Sequence, residues 1–155
     1  MRLTVYTDYS LRVLMFLSLR WSGGELSTID QIAQAYGISR NHLTKVVHDF
    51  SRHGLIESQR GRSGGIRLAR APQEISVGQV VRLAEEDFAL VECHEPGGGH
   101  CAIAPACQLQ RVLGQAMQAF LAELDKISLH EAVAHPARAQ TALGITPIFV
   151  APRRR

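Results

Sequence analysis

The chain has 155 residues, of which 46% are hydrophobic, and it carries a net charge of +3. Its longest apolar run, residues 13–17, is far shorter than the ~20 residues that a membrane span requires, and the N-terminus does not have the pattern of a secretory signal. We therefore expect one compact cytoplasmic domain with an appended helix and with cysteines that stay reduced.

The charge is unevenly distributed along the chain. Residues 1–70 carry ten Lys and Arg against five Asp and Glu, whereas residues 71–155 carry seven against nine. A basic N-terminal half joined to a nearly neutral body is typical of a nucleic-acid-binding head, although solvated helices are often basic as well.

Two helices are predicted in the first 40 residues. The first has Thr7 or Asp8 as its N-cap, is largely apolar and ends before residues 22–24. The second has Ser27 as its N-cap and spans residues 28–36, where a glycine stops it. The first of these helices is expected to lie in the core.

A third helix, residues 40–53, starts at Ser39 and has two distinct sides. Its apolar residues fall on one side at helical spacing. The opposite side is polar and cationic and contains Asn41, Lys45, His48 and Arg52. Two helices joined by a tight turn, the second with its polar side outward, predict a helix-turn-helix.

Residues 55–68 predict two short strands around a glycine-rich turn, the arrangement of a wing. The cationic residues Arg60, Arg62 and Arg67 bracket glycines that permit close approach to phosphate or to the minor groove. A plain hairpin would also explain the turn, and a solvated face would explain the third helix.

The order of helix, turn, polar helix and basic wing favours DNA binding over both simpler explanations. Asn can bind adenine bidentately, and Lys or Arg can bind guanine. The residues expected at double-stranded DNA are Ser39, Arg40, Asn41, His42, Lys45, Arg60, Arg62, Ser63, Gly64 and Gly65.

The C-terminal half predicts further helices. Ser76 is the expected N-cap of a helix from residue 77 to about 86, and Ser128 of a short helix ending at Val133. Between them a helix of about 20 residues carries an apolar stripe from Leu109 to Leu124, too broad for a lone exposed helix.

The long helix therefore requires a partner surface, and the chain is expected to be a homodimer. The predicted fold is mainly α. It comprises a winged helix-turn-helix DNA-binding domain at 1–86, a cysteine loop at 87–107, a dimerisation helix with a short terminal helix at 108–134 and an irregular tail at 135–155.

All three cysteines, Cys93, Cys101 and Cys107, fall within fifteen residues. Three thiols cannot pair off among themselves, and in this cluster they indicate soft ligands for iron or zinc. Their spacing lacks the Cys-x2-Cys knuckle usual in structural zinc sites, which favours an iron-sulfur cluster over zinc or unliganded thiols.

A cluster held by three thiolates leaves one position for a fourth donor. The candidates are His94, Glu95, His100 and Asp8. Pro105 suits the first turn of the long helix, which would place Cys107 near the positive end of that helix's dipole.

No pattern typical of an enzyme is recognisable in the sequence. Glu85, Glu86 and Asp87 are adjacent, and a solvated helix end explains them better than a catalytic pair. The seven histidines form no His-Glu-x-x-His motif. The alternatives are a zinc-stabilised transcription factor, a thiol-redox-regulated transcription factor, and an iron-sulfur or redox sensor of a different signal within the same kind of protein.

Four segments together resemble the winged-helix iron-sulfur repressors, and among them the nitric-oxide-sensitive members. They are MRLTVYTDYSLRVL at the start, YGISRNHLTKVV in the helix-turn-helix, RGRSGGIRL in the wing and CAIAPACQL in the cysteine loop. The resemblance covers about residues 1–133.

The resemblance implies a homodimer held by its long helices that represses genes for nitric oxide detoxification. It implies operator binding while a 2Fe-2S or 4Fe-4S cluster is intact, and release when nitric oxide attacks the cluster. It also implies that Cys93, Cys101 and Cys107 are cluster ligands and that Asp8 of the partner subunit is the fourth. Related repressors use a histidine instead, for which His94 and His100 are available.

Overall fold

The computed structural model describes residues 2–21, 24–61, 63–95, 97–98 and 101–145. Within these residues it contains six α-helices and one two-stranded antiparallel sheet. In chain order they are α1 (Val5–Leu19), α2 (Ile29–Tyr36), α3 (Arg40–Arg52), β1 (Ile56–Gln59), β2 (Gly65–Leu68), α4 (Val77–Ala84), α5 (Gln108–Asp125) and α6 (Pro136–Ala142).

Helix α1 begins earlier than predicted. Its N-cap is Thr4, whose hydroxyl accepts a hydrogen bond from the Thr7 amide, so the prediction of Thr7 or Asp8 as the cap is wrong. The side chain of Thr7 is fully buried inside the first turn. The start of α1 is therefore set by this cap together with hydrogen bonds to Glu85 at the end of α4.

Helix α2 begins one residue later than predicted, because Thr28 forms a capping box with Gln31. The predicted cap, Ser27, instead pairs with the wing. Its amide donates to the Ile66 carbonyl at 2.9 Å and its carbonyl accepts from the Ile66 amide at 2.8 Å. The wing is thereby joined to the segment that leads into the helix-turn-helix.

The main core lies where α1 packs against α2, α3, α4 and the wing. Helix α1 is apolar over most of its circumference because it has neighbours on several sides. Each large side chain that is fully buried contributes roughly 1.5–3 kcal/mol. The largest of them are Phe16, Phe50, Leu14, Ile32, Leu43, Leu55, Leu68, Ile75 and Leu129.

A second, smaller apolar cluster joins α4 to α5. Val81 of α4 is buried against Met117 and Leu121 of α5. An ion pair reinforces this contact, because Arg82 donates to both carboxylate oxygens of Asp125 at 2.5 and 2.7 Å. The long helix is thus attached to α4 through its C-terminal half.

The C-terminal segment is more ordered than predicted. The short helix expected after Ser128 is a single 3-10 turn, Glu131–Val133, but the expected irregular tail from residue 135 contains α6. The prediction missed this helix because it depends on distant contacts. Gln140 Nε2 donates to the Leu19 carbonyl at 3.0 Å, and Ile145 is buried in the main core. Residues 146–155, with Arg153–Arg155, lie outside the described residues.

Within the described part of the chain, no helix combines the length and the apolar character needed to cross a membrane.

Candidate nucleic-acid interface and metal centre

Helix α3 has the two sides that its sequence predicted. Leu43, Val46, Val47 and Phe50 are buried, whereas Asn41, Lys45, His48 and Arg52 are exposed. The helix therefore presents a row of polar and cationic side chains to solvent, as a helix that enters the major groove must do.

Two residues at the start of α3 have partners within the protein. Arg40 Nη1 donates to both carboxylate oxygens of Asp30, at 2.8 and 2.9 Å, and thus links α3 to α2. His42 Nδ1 lies 3.0 Å from the Ser39 hydroxyl, and its ring packs 5.6 Å from the Tyr9 ring of α1. Predicted DNA-contacting residues therefore also make contacts that join α3 to α2 and to α1.

Lys45 lies against α1 as well. Its ammonium group is 5.0 Å from the centre of the Tyr6 ring, within the range of a cation-π interaction. The Tyr6 hydroxyl donates to Asp49 Oδ2 at 2.7 Å. Burial, with a further contribution from the Asp49 hydrogen bond, raises the pKa of Tyr6 well above its usual range, so the phenol remains a neutral donor. No sequence signal had connected Tyr6 to α3.

The wing has the predicted hairpin form, with Ile56 opposite Leu68 and Gln59 opposite Gly65. Arg60 and Ser63 are exposed at its turn, and Arg62 lies outside the described residues. Arg67 is paired with Glu57 of the opposite strand at 2.8 Å.

The wing glycines have a packing role of their own. A Cβ atom at Gly64 would lie 2.4 Å from the Gln59 carbonyl oxygen, and one at Gly65 would lie 2.8 Å from Leu26 Cβ. Gly64 is therefore required by the turn itself, and Gly65 by the close approach of the segment before α2, independently of any contact with DNA.

The three cysteines lie along the loop between α4 and α5, and only Cys107 is at a helix end. Cys93 is in a 3-10 turn, Glu92–His94, Cys101 is exposed, and Cys107 is the N-cap residue of α5. All three are free thiols. Pro105 lies in a separate 3-10 turn, Ala104–Ala106, and not in the first turn of α5 as predicted, because Cys107 itself caps the helix.

Gln110 connects the two ends of this loop. Its side-chain amide donates to the Cys93 carbonyl at 3.3 Å, and its backbone amide donates to Cys107 Sγ at 3.5 Å. The backbone carbonyl oxygen of Gln110 lies 3.0 Å from His94 Nε2, which must carry a proton to donate this hydrogen bond. Sequence reasoning missed Gln110, since a glutamine in the first turn of a helix has no distinctive signature.

The other candidate ligands are placed differently. His100 lies outside the described residues, and coordination by His94 Nε2 would break its bond to Gln110. Asp8 is on α1 and accepts from Arg12, with Nε and Nη2 each 3.0 Å from a carboxylate oxygen. The Arg12 guanidinium also lies 5.7 Å from the Tyr36 ring at the end of α2.

Among the described residues, no three His, Cys, Asp or Glu side chains are grouped so that they could hold a metal ion. The donors nevertheless suit iron-sulfur chemistry, because thiolate sulfur is its preferred ligand and none of the three thiols is used in a disulfide.

Glu85 joins the start of the cysteine loop to α1. It is the C-cap residue of α4, and its Oε1 accepts from the Thr4 amide at 2.7 Å and from the Thr4 and Thr7 hydroxyls at 3.1 and 2.5 Å. A carboxylate at a helix N-terminus is favoured by the helix dipole. The expectation that Glu85 belongs to a merely solvated helix end is therefore wrong.

A cleft of about 760 Å³ opens between these elements. It is bounded by the start of α1, the end of α3, the beginning of the cysteine loop and the middle of α5. Its lining includes Tyr6, Lys45, Asp49, Glu85, Phe88 and Phe120.

The model of the Rrf2 family, described as an iron-dependent transcriptional regulator, matches residues 3–135 of the chain. The helix-turn-helix, the wing, all three cysteines and the long helix lie inside the matched range.

Several relatives are similar over most of the chain. The HTH-type transcriptional regulator NsrR of Bacillus subtilis (strain 168) is 51% identical over 133 residues, which cover 86% of this chain and 90% of the relative. The regulator of the same name from Halalkalibacterium halodurans is 44% identical over 147 residues, which cover 95% and 100% of the two chains.

Solved structures share the fold. T. potens IscR has a TM-score of 0.69 at 22% identity and matches 90% of this chain and 91% of its own. The oxidized form of Staphylococcus aureus CymR has a TM-score of 0.68 at 24% identity and matches 87% and 98%. At these identities the likeness concerns the fold alone, and it confirms the predicted winged helix-turn-helix.

Proposed function

The chain belongs to the Rrf2 family of transcriptional regulators, and from this premise we propose that it is a DNA-binding repressor that senses nitric oxide through an iron-sulfur cluster. Cys93, Cys101 and Cys107 are the proposed protein ligands. The observation that carries the proposal is the cysteine loop, whose two ends are joined by Gln110 beside the start of α5. Relatives that share 51% and 44% of their residues are named NsrR.

The proposed division of labour follows the fold. Residues 1–86 bind operator DNA, the loop at 87–107 holds the cluster, and residues 108–134 form the dimerisation region. When bound, the cluster supplies iron that reacts with nitric oxide, whereas the chain's own residues convert its presence into DNA affinity. Such a regulator acts in the cytoplasm, where its thiols stay reduced.

DNA reading is assigned to the exposed side of α3. Asn41 has the amide that can bind adenine bidentately, and Lys45 has the ammonium group that can bind guanine or phosphate. The start of the helix is ordered by internal contacts of Ser39, Arg40 and His42. These residues are expected to lie close to the sugar-phosphate backbone of the DNA.

The wing is assigned to the DNA backbone or to the minor groove. Arg60 and Ser63 are exposed at the wing turn, where Gly64 allows a close backbone approach. Arg62, which stands between them in the sequence, is assigned to the same contact. Cationic side chains at such a turn position the protein on DNA without specifying sequence.

A homodimer is supported by apolar side chains that the single chain leaves open to solvent. Leu109 and Val112 of α5 are 63% and 47% exposed, and Ile103 just before the helix is 65% exposed. These residues lie at or just before the start of α5, whereas the buried Met117 and Leu121 lie in its C-terminal half. A second copy would cover them.

Coupling between loop and DNA is assigned to α1. Glu85 attaches the beginning of the loop to Thr4 and Thr7 of α1, and Tyr6 and Tyr9 of α1 contact α3. If Asp8 of the partner subunit serves as the fourth ligand, its Arg12 loses a partner when the cluster is bound. A change at the loop can then bias the placement of the reading heads.

The proposal is tested on protein purified without oxygen. We expect visible absorption with iron and acid-labile sulfide in comparable amounts, and tighter operator binding by the cluster-loaded than by the cluster-free sample at equal salt. Zinc without sulfide would contradict the cluster, and equal affinities would contradict its role as the switch.

A further inference from the structure

We propose that Tyr6 is a positioning residue for Lys45, the cationic base reader of α3. The inference rests on the proposed function, because it concerns the side chain through which that function reads DNA. It assigns to α1, an element buried in the core, a direct part in shaping the DNA-reading surface.

Tyr6 is held firmly in place against α3. Its hydroxyl donates to Asp49 Oδ2 at 2.7 Å, and its backbone carbonyl accepts from the Ser10 hydroxyl at 2.8 Å. Asp49 lies one helical turn after Lys45, so the phenol binds the carboxylate that would otherwise attract the lysine along the helix. The ring face is then left for the Lys45 ammonium, at 5.0 Å.

The contact with Tyr6 restricts the conformations of the Lys45 side chain but leaves its ammonium group able to bind DNA. A lysine side chain has four rotatable bonds, and fixing such a side chain in a complex has an entropic cost. A cation over an aromatic face is attracted by the ring yet keeps N–H donors for an incoming acceptor. Lys45 remains exposed, so it can meet DNA already partly ordered.

The position of Tyr6 itself depends on the end of α4. Tyr6 lies between Thr4 and Thr7, the two residues whose groups donate to Glu85. A displacement of Glu85 therefore moves the ring on which Lys45 rests. Tyr6 thus links the start of the cysteine loop to one specific DNA-reading side chain.

The experiment is a double-mutant cycle on the full-length protein, purified without oxygen. The probe is a duplex selected from random-sequence DNA by the unaltered protein. Tyr6→Leu should weaken binding to this duplex about three- to tenfold, and Tyr6→Phe should weaken it less because the ring face remains. In a Lys45→Ala background, Tyr6→Leu should have no further effect.

Tyr36→Leu is the matched control, because Tyr36 is a partly buried tyrosine of the same domain that packs against Phe16 and Arg12. Its effect should add to that of Lys45→Ala, whereas the effect of Tyr6→Leu should not. Thermal midpoints compare the folding of all variants, and Tyr6→Phe retains a test if Tyr6→Leu unfolds.

Additive losses for Tyr6→Leu and Lys45→Ala would overturn the positioning role and leave the proposed function intact. Unchanged affinity in Lys45→Ala would overturn the positioning role as well, since there would be no reader to position. If Asn41→Ala also left the selected duplex bound as before, the failure would extend to the proposed DNA surface.

Discussion

The carboxylate of Glu85 accepts a hydrogen bond of 2.5 Å from the hydroxyl of Thr7, although 78 residues separate the two in sequence. The end of α4 thereby closes the first turn of α1. The cysteine loop begins directly after this junction, so its first residues follow a helix end that is fixed against α1.

Loss of the Glu85 carboxylate should loosen the start of α1. Glu85→Ala removes the acceptor of three hydrogen bonds and should lower the free energy of unfolding by about 1 to 2 kcal/mol. Operator affinity should fall in the same variant. Urea unfolding and DNA titration measure the two effects, with the neighbouring Glu86→Ala as control. Equal stability of both variants would show that the junction is unimportant.

Removal of one cysteine should remove the metal centre. In Cys93→Ala, Cys101→Ala or Cys107→Ala, we expect most of the iron and the specific operator affinity to be lost together, because each change deletes one of the proposed thiolate ligands. The helical circular dichroism should be retained. Asp8→Ala should be milder, since water or a histidine can replace one carboxylate. A cysteine variant with full iron content would exclude that residue as a ligand.

Two variants of the proposed DNA surface should affect DNA binding in different ways. Asn41→Ala should reduce discrimination at one base position by about 1–3 kcal/mol, because it removes a bidentate contact. Arg62→Ala should weaken binding to all sequences and lower the salt slope by about one unit. Titrations of specific and random duplexes at several salt concentrations separate these effects. The assignment fails if neither variant changes affinity.

A charge at the exposed apolar surface of α5 should prevent dimerisation. Leu109→Glu places a carboxylate among apolar groups that a second copy would bury, and the dimer dissociation constant should rise by more than about tenfold. Light scattering at micromolar concentration measures the assembly. Gln115→Glu, on the same helix at another exposed position, should remain dimeric. A well-behaved monomer in the unaltered protein would contradict the proposal directly.

Acid should weaken the attachment of α5 to the head. The hydrogen bond from Arg82 holds the pKa of the Asp125 carboxyl below its usual value. A depressed pKa in the folded state gives stability that is present above the unfolded value, about 3.9, and that is lost as the pH falls through the folded value. Asp125→Asn should therefore be less stable than the unaltered protein at pH 7, and the difference should shrink below about pH 4. A difference that is constant with pH would exclude the ion pair as its cause.

Local sequence patterns predicted those parts of the fold that local physics determines. The apolar period of α3, the glycine-rich wing and the cap of α4 were all recognisable, and the family resemblance over residues 1–133 is confirmed by the match over residues 3–135. The predicted start of α1 was wrong because Glu85, from a distant part of the chain, accepts hydrogen bonds from its first turn. Helix α6 was missed for the same reason, since Gln140 binds Leu19.

The candidate site was predictable in its residue types but not in its connections. Three clustered cysteines and a cationic helix face have chemical signatures that a single sequence reveals. The roles of Gln110 between Cys93 and Cys107, and of Tyr6 beside Lys45, depend on tertiary proximity. Neither residue type indicates such a role by itself.

The pairing of Ser27 with Ile66 also limits how an operator can be recognised. Because the segment before α2 is hydrogen-bonded to the wing strand, the proposed recognition helix and the wing would approach DNA with a fixed angle between them. The head would therefore accept only one groove geometry within a half-site of the operator. In the proposed dimer, any tolerance for operators with a longer or shorter spacer would come from the connection between the two heads, which runs through α5.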